Sequence, residues 1–208
     1  PYYLVKDLQE GIENVAKTRQ AEFDDIVQRI DSSMQGLPGM HDIYRVPQHG
    51  VIRDWVKLLK GFAPDKAKAD AKAAEVEKSL EQDMKAFLAK IDGKTWPGNS
   101  KGDVAEAALK FFKESPDWAK RAEEPRIPLG VAVTGDWSVQ ERDVLGNPTM
   151  YGIPVLLAVQ VQSEKAQNLA RVFNLTMRTA ESKNPKQEPP FTSITVGDSW
   201  YVRADKVK

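Results

Sequence analysis

The chain has 208 residues, enough to bury a hydrophobic core without disulfides or metal ions. Its 30 basic and 30 acidic residues cancel, which argues against a nucleic-acid partner. The absence of cysteine excludes thiol nucleophiles, cysteine-ligated zinc, iron–sulfur clusters and disulfides. The longest apolar run, YGIPVLLAV, is too short to span a bilayer. We therefore expect a soluble chain with no cofactor and no transmembrane segment.

The first predicted element is a long amphipathic helix from Leu4 to Met34, because apolar residues recur there at intervals of mostly three and four. Gly11 predicts a bend or a short break within this helix. The segment GLPGM, residues 36–40, predicts its end, since two glycines and a proline cannot continue the helical hydrogen bonds.

Further helices are predicted after a loop over residues 41–50. They cover residues 51–62, residues 65–92 before Gly93, and residues 103–115. A short fifth helix is predicted to begin with Ser115 as its N-cap and Pro116 at its first position. The helix at residues 51–62 is assigned one apolar side, made of Val51, Ile52, Trp55, Val56, Leu59 and Phe62.

The helical period gives way to valine, threonine and aromatic residues after the segment EEPRIPLG, residues 123–130. Four β-rich runs follow, with a short helix at SEKAQNLA as an alternative between the second and the third. Hairpins are predicted around residues 146–148 and around residues 196–199. Helices followed by strands indicate an α+β fold with a mainly antiparallel sheet. The predicted division is a helical region over 1–125 and a sheet region over 126–208, with the helix at 102–124 as a candidate to pack on the sheet.

Two groups of ionisable side chains are candidates for chemistry. His41 and His49 share the predicted loop with Asp42 and could bind a metal or transfer protons, or could be ordinary loop residues. Near the first hairpin, Asp136, Glu141 and Asp143 could share acid and base roles, or could form a charged edge that faces water. The sequence matches no nucleophile elbow, phosphate-binding loop or zinc-protease motif.

Four aromatic residues lie in or beside the β-rich runs: Trp137, Tyr151, Trp200 and Tyr201. The tripeptide GDW at Gly135 returns loosely as GDSWY at Gly197, so both tryptophans could lie near one end of a curved sheet. There they would line a ligand pocket together with the carboxylates, or they would simply belong to the core.

The C-terminal pattern of helices, long strands and a closing VGDSWYV segment resembles the C-terminal part of cystatin-like and NTF2-like α+β domains. The resemblance covers the last 80 to 110 residues. It implies a curved antiparallel sheet and, because such domains include isomerases, dehydratases and pure binding modules, it leaves the activity open.

The preferred interpretation is a non-catalytic binding or structural protein that presents a sheet surface or an aromatic-lined pocket to an unknown ligand or protein partner. The first alternative is a small-molecule enzyme with a carboxylate acid or base in that pocket. The second is a helical oligomerisation module, since residues 4–34 and 65–92 are long enough to pair with another chain and form a homo-oligomer. The absence of cysteine and of an initiator methionine favours secretion or a periplasmic location as a further expectation.

Overall fold

The computed structural model describes residues 2–116, 118–119, 124–180 and 191–208, with side chains from residue 9 onward. The chain divides into two compact units, Pro1–Leu88 and Ala89–Lys208. Helices come first along the chain and an antiparallel sheet follows, so the α+β prediction is confirmed.

Three helices build the first unit: α1 (Tyr2–Gly36), α2 (Asp42–Phe62) and α3 (Lys66–Asp92), whose last turn belongs to the second unit. α1 runs through Gly11 without a break and ends, as predicted, where Leu37–Gly39 form a 3-10 turn. The apolar stripes of the three helices meet in one core made of Phe23, Ile26, Ile30, Leu37, Ile52, Leu59, Ala69, Val76 and Leu80.

α2 begins nine residues before the predicted helix, so the loop assigned to residues 41–50 is wrong. The N-cap is His41, whose Nδ1 accepts a hydrogen bond from the Ile43 amide at 3.5 Å. Pro47 lies inside the helix and removes one backbone donor, a defect that costs roughly 3 kcal/mol in an exposed helix. The early turns of α2 bury Val46 and His49, and this burial outweighs the local preference of proline for a loop.

The second unit contains α4 (Asp103–Glu114) and five strands: β1 (Arg126–Val133), β2 (Ser138–Arg142), β3 (Pro148–Val161), β4 (Leu169–Ala180) and β5 (Ser193–Arg203). All pairings are antiparallel, in the order β1-β3-β4-β5, and β2 also pairs with β3. Residues Gln162–Gln167 form a 3-10 turn between β3 and β4, at the place where a short helix is the alternative prediction for SEKAQNLA.

The sheet buries both of its faces, because strand residues alternate between two cores. On one face, Ala105, Ala108 and Phe112 of α4 belong to the same core as Val155 and Leu157 of β3. The core on the other face contains Trp96 together with Ala132, Ala158, Ala170, Val172 and Val202.

The two predicted hairpins have different outcomes. The first is confirmed: β2 and β3 are joined through Gly146, which has a φ of 86°, and Pro148 starts the second strand. The second is wrong, because β5 continues through Gly197. The register passes from Phe173↔Ser199 to Leu175↔Val196, which is a β-bulge rather than a turn. Half of the predicted fifth helix, residues 117 and 120–123, lies outside the described residues, and Ser115 caps the C-terminus of α4 instead of starting a new helix.

Candidate functional site: an exposed apolar seam on α2

The three carboxylates near the first hairpin have local structural partners or face water. Asp143 accepts hydrogen bonds from the amides of Leu145 at 2.9 Å and Asn147 at 2.8 Å, and from the Asn147 side chain at 2.9 Å. The side-chain bond from Asn147, together with the backbone donors, holds the pKa of Asp143 below its usual range. Glu141 forms an ion pair with Arg178, and Asp136 is exposed. The structure therefore gives two of these carboxylates separate partners rather than a common site.

The predicted aromatic residues are divided between the two faces of the sheet. Trp137 packs on the core beside α4 and stacks on Phe191, with ring centroids 6.2 Å apart. Trp200 packs on the opposite core. Tyr151 is half-buried on β3 opposite Val139 and Thr179. The structure does not bring the two tryptophans into one pocket, and ligand binding by these side chains stays a prediction.

Tyr201 belongs to a buried polar network that the sequence does not reveal. Its hydroxyl donates to Glu164 Oε1, and Arg171 Nε donates to the same oxygen at 2.8 Å. Arg171 also reaches Glu124 at 3.1 Å. Burial opposes the charge of Arg171, but its bond to Glu164 raises its pKa, while burial raises the pKa of Tyr201. Glu164 lies in the 3-10 turn and is fully buried, so the network ties that turn to β4 and β5.

The predicted histidine loop is part of α2, and its two histidines have separate roles. His41 caps the helix, whereas His49 is 1% exposed and lies with Nε2 2.7 Å from Asp83 Oδ2. Arg45 Nε donates to the same carboxylate at 3.0 Å. Burial lowers the pKa of His49, although the hydrogen bond to Asp83 acts in the opposite direction. Among the residues with described side chains, no cluster of three or more histidines and carboxylates could hold a metal ion.

The outer face of α2 carries a line of exposed apolar side chains. Tyr44, Val51, Leu58 and Phe62 are 60%, 45%, 46% and 41% exposed. The first three follow one another at intervals of seven residues, and the half-buried Gln48 and Trp55 fall between them. The spacing of four and three is that of the a and d positions of a coiled coil. We call this set the α2 seam; its members are Tyr44, Gln48, Val51, Trp55, Leu58 and Phe62.

The α2 seam borders the face of α2 that packs in the core, because its half-buried member Trp55 also packs against that core. Val46, His49, Ile52 and Leu59 are buried on that other face. The predicted apolar side packs in the core through Ile52, Trp55, Val56 and Leu59. It is wrong for Val51 and Phe62, which are exposed. The signal that could have found the α2 seam is the repeat of seven residues from Tyr44 to Leu58, which includes the segment assigned to a loop. α2 therefore carries more apolar surface than its own bundle covers.

A polar groove of about 400 Å³ lies beside the α2 seam, between α1 and α2. Its α2 wall is Trp55, and the guanidinium of Arg29 lies 5.3 Å from the centre of that ring. Arg29 is in turn paired with Asp25 at 2.6 Å. The groove therefore combines an apolar edge with charges of both signs; its lining is completed by Gln28, Ser32 and Ser33.

α1 also continues its apolar stripe beyond the core. Residues 9–22 are exposed throughout, and they include Ile12 at 69% and Val15 at 61%. Ile12 precedes the buried Ile30 by 18 residues, which is five turns at 3.6 residues a turn, so both lie on the same face of α1. The helical unit thus exposes apolar side chains on two of its helices.

No known protein family, curated protein or solved structure matches this chain. The resemblance to cystatin-like and NTF2-like domains therefore stays a prediction. Within the residues that the structure describes, none of the helices combines the length and the hydrophobicity needed to cross a membrane.

Proposed function

We propose that this chain is a non-catalytic binding or structural protein that associates with another helix through the α2 seam. The observation that carries the proposal is the heptad spacing of the exposed Tyr44, Val51 and Leu58 on a helix that already buries a neighbouring face in its own core. Covering apolar surface contributes roughly 25 cal/mol for each Å² removed from water. Heptad-spaced residues present that surface as a continuous strip to a facing helix.

Three further observations support a binding role over catalysis. Asp143 caps a turn, Glu141 is paired with Arg178, and Trp137 stacks within a core, so each has a structural use. The balanced charge supports a protein partner over a nucleic acid. Export from the cytosol, which the cysteine-free composition favours, is a separate proposal.

Hydroxyl-radical footprinting tests the proposal whatever the identity of the partner. The labelling of Tyr44 and Leu58 is compared between the purified chain at nanomolar concentration and the chain in a concentrated extract of its own cells. We expect several-fold protection of both side chains in the extract, because a docked helix excludes water from the α2 seam. Leu145, which is 82% exposed at the tip of the first hairpin, is the internal control and should label equally in both samples. Equal labelling of the α2 seam in both samples would contradict the proposal.

A further inference from the structure

One carboxylate on α3 holds two side chains from the first turns of α2. Asp83 accepts a hydrogen bond from Arg45 Nε at 3.0 Å, and its Oδ2 lies 2.7 Å from His49 Nε2. Burial opposes the charge of Asp83, but its hydrogen bonds with Arg45 and His49 lower its pKa. An ionised carboxylate can only accept hydrogen bonds, so Nε2 of His49 is the donor. We call Arg45, His49 and Asp83 the Asp83 cluster.

The other ring nitrogen of His49 has no acceptor for a second proton. Nδ1 is buried, and it has no hydrogen-bond partner among the described residues. Burial lowers the pKa of His49 more than its hydrogen bond to Asp83 raises it. The neighbouring charges are Arg45 and Arg53 on α2, which disfavour a further positive charge, and Glu77 on α3, which is paired with Arg53 at 2.6 Å. A proton on Nδ1 would therefore be a buried donor without an acceptor, which is unfavourable.

The first segment of α2, residues 42–51, has fewer contacts with the helical core than the rest of the helix. The α2 side chains in that core all follow this segment; they are Ile52, Trp55, Val56 and Leu59. Within the segment, Pro47 lacks a backbone donor, and Gly50 lowers the stability of a helix. Its buried side chains are Val46 and His49. Segments with few buried apolar contacts open locally before the rest of a protein unfolds.

We infer that the Asp83 cluster is an acid-sensitive switch, in which protonation of His49 releases residues 42–51 of α2 from α3. In the released segment the imidazole ring contacts water, which accepts hydrogen bonds from both of its nitrogens. The ordinary pKa of a histidine is 6.5, and burial lowers that of His49 in the packed form. The packed form is therefore fully favoured above about pH 6.5, and the released form gains as the pH falls below that value.

The released segment includes Tyr44, Gln48 and Val51, the first three members of the α2 seam. Release takes these side chains out of line with the other three members, which remain on the packed part of the helix. A helix docked on the α2 seam therefore loses half of its contacts in acid. This consequence rests on the proposed function, whereas the switch itself does not.

Native-state hydrogen exchange tests the release without any variant. The opening of backbone amides is measured between pH 8 and pH 5 and corrected for the intrinsic pH dependence of exchange. We expect the opening of residues 48–51 to rise by up to about tenfold for each pH unit below 6.5. It should also exceed the opening of residues 55–62 and respond less to urea, because local release exposes less surface than global unfolding. Equal opening of both segments at every pH, or an opening of residues 48–51 that does not change with pH, would overturn the inference.

Two variants identify the titrating residue, and circular dichroism confirms that both are folded. His49→Gln keeps a side-chain donor for Asp83 but no group that titrates in this range, so the opening of residues 48–51 should become independent of pH. His41 is the other histidine of the chain and caps the same helix. His41→Ser retains a capping oxygen and is the matched control, which should keep the full acid response. An acid response that persists in His49→Gln would assign the effect to another group and overturn the inference.

The switch and the proposed function fail in different experiments. An opening that does not depend on pH overturns the switch and leaves helix binding through the α2 seam unaffected. Equal labelling of the α2 seam in the dilute chain and in the extract overturns the proposed function, while the hydrogen-exchange result for the switch stands.

Discussion

At the scale of single residues, buried polar groups distinguish this structure most clearly from what its sequence suggests. Glu164 stands in the polar segment QSEKAQ, where an exposed side chain would be expected, yet it is fully buried against Arg171 and Tyr201. Periodicity cannot reveal such a residue, because the partners that neutralise it come from β4 and β5. Periodicity likewise cannot reveal that His49 is buried and paired, because its partner Asp83 is 34 residues away in the chain.

The buried network should dominate the effect of mutation in the sheet unit. Arg171→Ala leaves the Glu164 charge buried without its cation, so we expect a loss of about 3–5 kcal/mol in the free energy of unfolding. Tyr201→Phe removes one hydrogen bond to the same carboxylate and should cost about 1–3 kcal/mol. Glu141→Gln, at an ion pair whose glutamate is 53% exposed, should cost less than about 1 kcal/mol. Urea unfolding of the three variants measures these differences, and an equal loss in all three would contradict the account.

His49 should make the helical unit sensitive to acid. Burial holds its folded-state pKa below the ordinary value of 6.5, so the unfolded chain binds the proton more readily. The resulting stability is fully present above about pH 6.5 and is lost as the pH falls below that value. Unfolding free energies measured between pH 8 and pH 5 should show this decline. In the His49→Gln variant the decline should be smaller over the same interval, and an unchanged decline would exclude His49 as its source.

At the scale of elements, local patterns predict the helices and strands that bury one regular face. α1, α3 and the run that becomes β3 follow directly from their spacing. The errors occur where tertiary packing overrides local preference. Pro47 and Gly50 indicate a loop, but α2 continues through both because its inner face is buried. Gly197 suggests a turn, but a β-bulge accommodates it opposite Asn174, whose carbonyl oxygen would lie 3.2 Å from an added Cβ.

Pro47 gives a direct test of how α2 is stabilised. The residue is exposed, so Pro47→Ala removes little packing and restores a backbone donor inside the helix. We expect the free energy of unfolding to rise by about 1–2 kcal/mol, since the loss of proline rigidity in the unfolded chain offsets part of the gain. Thermal unfolding compares this variant with Lys57→Ala, a change at an exposed position of the same helix that should alter stability little. A lower melting temperature for Pro47→Ala would show that proline is needed in α2.

At the scale of the whole molecule, the α+β class is predictable from composition and order, while the candidate site is not. The sequence candidates are aromatic residues and carboxylates, and the structure assigns Trp137 and Trp200 to opposite faces of the sheet. The loose repeat of GDW at Gly135 as GDSWY at Gly197, which suggested that the two tryptophans lie together, carries no information about strand register. The α2 seam is not recognisable from the sequence, because its first turns resemble a loop. In addition, the helical pattern assigns Val51 and Phe62 to the same side as the buried Ile52 and Leu59. The first of these two reasons disappears once α2 is seen to begin at Asp42.

The central claim is that the α2 seam is covered in the functional state. The most direct measurement is the hydroxyl-radical labelling of Leu58 relative to Leu145, compared between the dilute purified chain and the native extract. We expect the ratio to fall several-fold in the extract, because only Leu58 becomes shielded from water. A ratio that is the same in both samples would contradict it.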